Sequence, residues 1–267
     1  MAKVVFLGAG RMASAIIGGL IRKGLCKPEE LACTCGDDDT GPELAKKTGI
    51  GFSRDLATLL PGADIMVLAC KPQQFSALDE KLTALTAGKL VLSILAGTTL
   101  ERLGAKFPQC RNLVRAMPNT PGQIGAGATA FASQAPLTDA DRQAVEGILG
   151  ALGLTVALPE SQLDAVTALS GSGPAYVFEF TKAMEEAGVT LGLDRATAAV
   201  LAKQTVLGSA LLMDASPEDP ETLRKHVTSP GGTTQAALES FAGNNLRGIV
   251  TEALTAAQKR SVELSQL

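Results

Sequence analysis

The sequence predicts an α/β protein in which an N-terminal domain built on a parallel sheet, residues 1–158, is followed by an all-helical domain, residues 159–267. Three observations point there. Short apolar runs alternate with segments of helical periodicity through the first half, the signature of strands joined by crossover helices. The first run, Lys3 to Leu7, enters Gly8-Ala9-Gly10-Arg11-Met12-Ala13 and leads directly into a helical pattern. Beyond about residue 158 the strand signals stop, and apolar residues at helical spacing, broken by Gly and Pro, take over.

Taken in order, residues 3–7 are the first strand, and the turn after it reads G-x-G-x-x-A. Gly8 permits the tight turn, Gly10 lets backbone approach a pyrophosphate, and the small Ala13 lets helix pack on strand. The helix start offers free N–H groups to phosphate oxygens, so Gly8, Ala9, Gly10, Arg11, Met12 and Ala13 are candidate dinucleotide contacts. Residues 31–35 form a second strand ending in Cys35-Gly36-Asp37-Asp38-Asp39. An acidic side chain there hydrogen-bonds the adenosine ribose, so Asp37 tilts the choice toward NADH; Arg11 and Arg54, within reach of a 2′-phosphate, pull toward NADPH. Residues 64–70 and 89–95 are nearly continuous apolar runs, as strands buried on both faces are, and belong at the sheet's centre. Residues 111–116 follow, with 128–132 and 154–157 as weaker additions.

Ligands of open parallel sheets lie beyond the carboxyl ends of the strands. After the third run, which ends in Ala69 and Cys70, come Lys71, Pro72 and Gln73, where Lys71 and its backbone neighbours suit the middle of a cofactor or form an ordinary surface loop. After the fourth, which ends at Leu95, come Ala96, Gly97 and Thr98, small enough to let a nicotinamide ring lie on backbone, or to make a plain turn. Pro118 and Pro121 bracket Asn119, whose carboxamide is a candidate for a ligand hydrogen bond against the default of an Asn turn.

In the second half, Pro174 suits the first turn of a helix, Asp194 and Asp219 are plausible caps, and a final helix runs from Asn244 to about Ser265. Leu201, Val206, Leu207, Ala210, Leu211 and Met213 make one helix apolar over much of its surface, which a second subunit would cover. Two turns rich in N–H groups and hydroxyls, Leu169 to Ala175 and Val227 to Thr234, each read as a capped helix start or as a small-anion site. Their pairing beside a dinucleotide domain suggests a carboxylate pocket. His226, just before the second turn, suits surface and dipole roles more than catalysis.

Composition excludes several classes. With 27 acidic against 24 basic residues and a net charge of −3, the chain has no electrostatic footprint for nucleic acid. No apolar run reads as a membrane span, and Gly8 and Arg11 interrupt the first hydrophobic stretch, against a signal peptide, so a cytoplasmic protein is expected. Cys26, Cys33, Cys35, Cys70 and Cys110 lack zinc or C-x-x-C spacing and read as small hydrophobes. A single His leaves no multi-histidine metal site and no His-based triad, so no metal is expected.

With these residues assembled, the chain resembles the pyrroline-5-carboxylate reductase family over essentially its whole length. The likeness rests on Gly8 to Ala13, Ala69 to Gln73, Ser93 to Gly97, Arg115 to Pro121, Asp164 to Tyr176 and Val227 to Thr234. It implies a Rossmann-type domain, a helical domain that interlocks with its twin in a homodimer, and often a ring of five dimers. It also implies a cytoplasmic NAD(P)H-dependent oxidoreductase that reduces the C=N bond of 1-pyrroline-5-carboxylate to L-proline, the last step of proline biosynthesis. By motif, Ser229, Gly231, Gly232, Thr233 and Thr234 would hold the substrate carboxylate, with the Thr234 hydroxyl, the candidate catalytic group, near the ring nitrogen. Gly8 to Ala13, Ala69 to Pro72 and Leu95 to Gly97 would line the cofactor. Members often carry Asn or another polar residue where His226 stands, and NADPH-preferring members have a Ser- or Arg-rich segment where this chain has Asp37 to Asp39. The competing readings are a β-hydroxyacid dehydrogenase, for which Lys182 would have to be the catalytic lysine, and a dinucleotide-binding oligomer without turnover.

Overall fold

The computed structural model describes residues 3–266; residues 1–2 and 267, the outer ends of the two expected domains, lie outside the described residues. The chain packs as two compact units, Met1–Ser172 with Ala257–Leu267, and Gly173–Ala256.

The first unit holds one sheet of β1 Val4–Leu7, β2 Leu31–Thr34, β3 Gly51–Phe52, β4 Ile65–Leu68, β5 Leu90–Ser93, β6 Asn112–Met117, β7 Gly127–Ser133 and β8 Gly153–Ala157. Their spatial order is β3-β2-β1-β4-β5-β6-β7-β8. All neighbours pair parallel except β6 and β7. The exception has a geometric cause. Parallel neighbours need a crossover of about a dozen residues or more, and only a short 3₁₀ turn, Thr120–Ile124, separates β6 from β7. The chain has room to turn back but not to cross over. β3 is missing from the sequence reading because two residues show no periodicity.

Helices α1 Arg11–Arg22, α2 Thr40–Thr48, α3 Leu56–Leu59, α4 Lys81–Leu85, α5 Leu100–Lys106, α6 Asp139–Gly150 and α7 Leu163–Val166 connect and cover the strands. Alternate strand residues feed two cores. Val4, Phe6, Val67, Leu92 and Val114 pack with Ile16, Ile17 and Leu20 of α1 and Ile148 of α6. Val5, Leu7, Met66, Leu68 and Leu113 pack on the other face with Phe75, Leu103, Phe107 and Leu163. Leu163 is fully buried there, which carries the first unit beyond residue 158.

The second unit contains α8 Gly173–Thr190, α9 Arg195–Ala215, α10 Pro220–His226, α11 Thr233–Gly243 and the start of α12 Leu246–Ser265. Asp194 caps α9 through the Thr197 N–H at 3.0 Å, and Asp219 caps α10 through the Thr222 N–H at 2.9 Å. Both carboxyls are held below their ordinary pKa, Asp194 chiefly by its side-chain bond to Thr197 and Asp219 chiefly by the Thr222 N–H. One expectation needs correcting: α9, with 21 residues and a mean hydropathy of 1.4 over its most apolar window, is long and apolar enough to cross a membrane. Its many alanines keep the average high while they interrupt any run of large apolar residues. Within one chain the helix leaves Val200, Leu201, Leu207, Leu211, Leu212 and Met213 exposed.

Candidate active site

The glycine turn lies where the strand order reverses, between β1 and β4, which is where open α/β sheets bind ligands. Gly8 has φ +116°, and a Cβ there would stand 2.4 Å from the Ala69 carbonyl oxygen and 2.7 Å from the Cys70 nitrogen. Glycine at this position is a demand of the fold. Gly10 is different: its φ is −69°, and nothing lies within 4 Å of the position a Cβ would take. The protein alone would accept a side chain there; a ligand lying against the backbone would not. Gly10 also begins α1, which has no side-chain cap and no acidic residue in its first turn. Its leading N–H groups have no partner within the helix and carry the positive end of its dipole. Ala13 is buried against the sheet, and Met12 packs at the edge of the same core, so these two shape the turn rather than the groove.

Gly8, Ala9, Gly10, Ala69, Cys70 and Lys71 share one groove of about 660 Å³ with Cys35, Asp38 and Arg54. Arg11 faces an adjoining cavity between α1 and α2. Pro72 opens a 3₁₀ turn, closed by the Lys71 N–H donating to Gln74 Oε1 at 2.9 Å, and stands outside the groove lining. Burial pushes the Cys70 thiol up from its ordinary pKa, away from thiolate chemistry.

At the end of β2 the structure departs from expectation. Asp37 is exposed and does not line the groove. Asp38 does, but its carboxylate accepts the Thr40 N–H at 2.9 Å and also the Thr40 hydroxyl, bonds that hold it below the usual aspartate range. Asp38 thus serves the α2 start. Arg54 instead donates to the Gly36 carbonyl and, at 3.0 Å, to the Asp38 carbonyl, with its guanidinium 5.9 Å from the Phe52 ring centre. A fixed cation thus stands at the end of β2, where sequence alone shows three acids.

Asn119 is a second correction. Its Nδ2 donates to the Ser170 carbonyl at 3.0 Å and its Oδ1 accepts the Ala128 N–H at 2.9 Å. The carboxamide is committed to backbone on both sides and ties the start of β7 to the π-helical turn Thr167–Gly171. Leu95 has its side chain in the core, whereas Ala96 is exposed and Gly97 half-buried, so this segment can meet a ligand through backbone and small side chains.

In the second unit, Gly232 starts α11 without a side-chain cap, leaving the first N–H groups at Thr233 and Thr234 for an external acceptor. The turn before it is held by Gln235, whose Oε1 accepts the Gly231 N–H at 2.7 Å and whose Nε2 donates to Glu239 at 2.7 Å. Gln235 escapes a sequence reading because a glutamine in a first helical turn has no distinctive signal. Ser229 is exposed, and its carbonyl accepts the Gly232 N–H at 3.0 Å. His226 is exposed, with Nδ1 3.3 Å from Glu218 Oε2. Lys182, the lysine a β-hydroxyacid dehydrogenase would need, is paired with Glu185 at 2.7 Å and with Glu186 at 3.7 Å on the surface of α8.

Comparison with known proteins fits this geometry. Residues 160–264 match the family described as pyrroline-5-carboxylate reductase dimerisation, and residues 3–97 match the family described as NADP oxidoreductase coenzyme F420-dependent. The chain is 41% identical to the pyrroline-5-carboxylate reductase of Pseudomonas aeruginosa, with 99% of this chain and 97% of that protein covered. Among solved structures, it superposes on a pyrroline-5-carboxylate reductase from Coxiella burnetii with a TM-score of 0.93 at 37% identity, covering 99% and 98% of the two chains. The Plasmodium falciparum pyrroline carboxylate reductase with NADP bound gives a TM-score of 0.84 at 30% identity over 99% and 98%.

Proposed function

Because the chain belongs to the pyrroline-5-carboxylate reductase family, we propose that its glycine groove holds the nicotinamide nucleotide and that the start of α11 holds the substrate carboxylate. The enzyme reduces the C=N bond of 1-pyrroline-5-carboxylate to give L-proline, completing proline biosynthesis, with the hydride supplied by the reduced nicotinamide when bound. The single observation that carries the cofactor assignment is Gly10, where the protein itself leaves room for a side chain at the uncapped start of α1, in the second glycine place of the G-x-G-x-x-A turn. Around it the uncapped α1 start suits a pyrophosphate, with Ala9 and Arg11 beside it and Ala69, Cys70 and Lys71 across the groove.

The chemistry asks little of acid–base side chains. The C=N carbon is already electrophilic once the ring nitrogen carries a proton, so orientation is the protein's main task. The N–H groups of Thr233 and Thr234 bind the carboxylate, the Ser229–Gly232 turn shapes the approach, and the Thr234 hydroxyl orients the ring nitrogen and its proton. An unperturbed hydroxyl is a poor proton source, so Thr234 positions rather than protonates. A lone histidine bonded to Glu218 is consistent with a reaction that uses none.

For the nucleotide, the balance set by Asp37 reverses. Arg54 lines the groove and Asp37 does not, so the preferred donor is NADPH, with Arg54 facing the 2′-phosphate. The enzyme self-associates as a homodimer, and we assign the subunit contact to the exposed face of α9 and a ring of dimers to the assembly above it. We assign it to the cytoplasm, where its five free cysteines stay reduced. The test is absorbance-monitored oxidation of NADPH and of NADH with pyrroline-5-carboxylate. Turnover with both and a higher kcat/KM for NADPH is expected. Binding of nucleotide without turnover would support the non-catalytic oligomer instead.

A further inference from the structure

The loop after β5 that begins with Leu95 and Ala96 is held from two directions, and both holds lead to one buried arginine. Arg115 of β6 is 5% exposed and shares a sheet face with Leu113, under α7. Its Nη1 lies 3.0 Å from Glu160 Oε1 and its Nη2 3.6 Å from Asp164 Oδ1. A guanidinium in that position requires such partners. Each carboxylate then does a second thing. Glu160 Oε1 accepts the Leu100 N–H at 2.7 Å, satisfying an orphan donor in the first turn of α5. Asp164 Oδ1 accepts the Ser261 hydroxyl at 2.7 Å, and Ser261 is itself only 5% exposed on α12.

One helical turn beyond Ser261, Leu264 reaches the loop. Gly97 has φ +72°, and a Cβ there would stand 3.3 Å from the Leu264 carbonyl oxygen and 3.5 Å from the Leu264 side chain. Residues three apart on a helix share a face, so the bond at Ser261 fixes the rotation with which Leu264 meets Gly97. The path closes on itself, from Arg115 through Glu160 to Leu100, along the loop to Gly97, across to Leu264, and back through Ser261 and Asp164.

We propose that Ser261 is a positioning residue for nucleotide binding, acting through Asp164 and Arg115 to seat the last turn of α12 against Gly97 and so shape the loop that meets the nicotinamide. This rests on the reading of Ala96 and Gly97 as part of the cofactor site. Loss of the hydroxyl leaves Asp164 still beside Arg115 at 3.6 Å, so the fold survives while the seat loosens.

The test is calorimetric titration of NADPH, without substrate, into wild type, Ser261→Ala, Ser261→Thr and Gly10→Val, with hydrogen exchange read at Gly97 to Leu100. Ser261→Ala should raise Kd about threefold to tenfold, the loss expected of one hydrogen bond. It should speed exchange at those amides, raise the nucleotide KM, and leave kcat at saturating nucleotide within about twofold. Ser261→Thr, which keeps the hydroxyl, should restore all of these. Wild-type affinity in Ser261→Ala, or a threonine variant as weak as the alanine one, overturns the proposal. Normal binding by Gly10→Val would overturn the groove assignment and this proposal with it, whereas binding lost in Gly10→Val but intact in Ser261→Ala overturns the Ser261 role alone.

Discussion

At Gly8 and Gly10 the same amino acid answers to different forces, and substitution separates them. Gly8→Ala forces a left-handed φ on a residue with a Cβ and drives that Cβ into the Ala69 carbonyl. It should cost at least about 2 kcal/mol of stability, seen as a lower thermal midpoint with or without nucleotide. Gly10→Val meets open space and an ordinary φ, so its midpoint should fall by no more than the modest cost of a poorer helix cap while nucleotide binding is lost; retention of binding would remove Gly10 from the site. For Arg54→Ala, the ratio of kcat/KM for NADPH to that for NADH should fall about tenfold, the scale of one charge-assisted contact to phosphate. An unchanged ratio would return the cofactor choice to the aspartates. Thr234→Ala should lower kcat between about tenfold and a hundredfold through lost orientation, with nucleotide Kd unmoved.

Elements are joined by similarly specific contacts, and the one between α6 and the start of β6 is open to a pH test. Asp141, in the first turn of α6, accepts Arg111 Nη2 at 2.6 Å and Nε at 3.1 Å, which holds its carboxyl below the usual value of 3.8. A depressed carboxylate contributes stability that is present above its unfolded pKa and lost as pH falls through the folded one. Asp141→Asn should therefore cost about 1–3 kcal/mol at neutral pH, and its stability should fall less steeply than that of wild type as pH drops below 3.8. Parallel acid limbs in urea denaturation would show that the pair contributes nothing. Elements also mark what sequence could and could not tell. The central strands β4 and β5 were legible because burial on both faces writes itself as an unbroken apolar run. The helix caps at Asp194 and Asp219 were legible because a cap is local. Arg54 was legible as a cation within reach of a phosphate, but its anchoring was not, because that depends on β3: Phe52 pairs with Cys33, and that register brings Arg54 beside Gly36 and Asp38. Asn119 misled for the same reason, since Ser170, which takes its Nδ2 hydrogen bond, lies far along the chain.

For the whole molecule, the decisive property is the apolar surface that one copy leaves open. Leu207, Leu211 and Leu212 of α9 are each roughly half exposed, at 46%, 58% and 56%, within the region matching the dimerisation family. Leu211→Glu should shift sedimentation from dimer toward monomer and lower the thermal midpoint; an unaltered dimer would assign the contact to another helix. Where folding and pairing are coupled, the unfolding midpoint rises with protein concentration. With α9 as the subunit contact and folding coupled to pairing, abundance would itself become a stabilising variable. A cell that halved its supply of such a polypeptide, by dilution at division or by weak expression, would then lower its folded fraction without any change in sequence, and the enzyme's persistence would depend on gene dosage as well as on its own bonds.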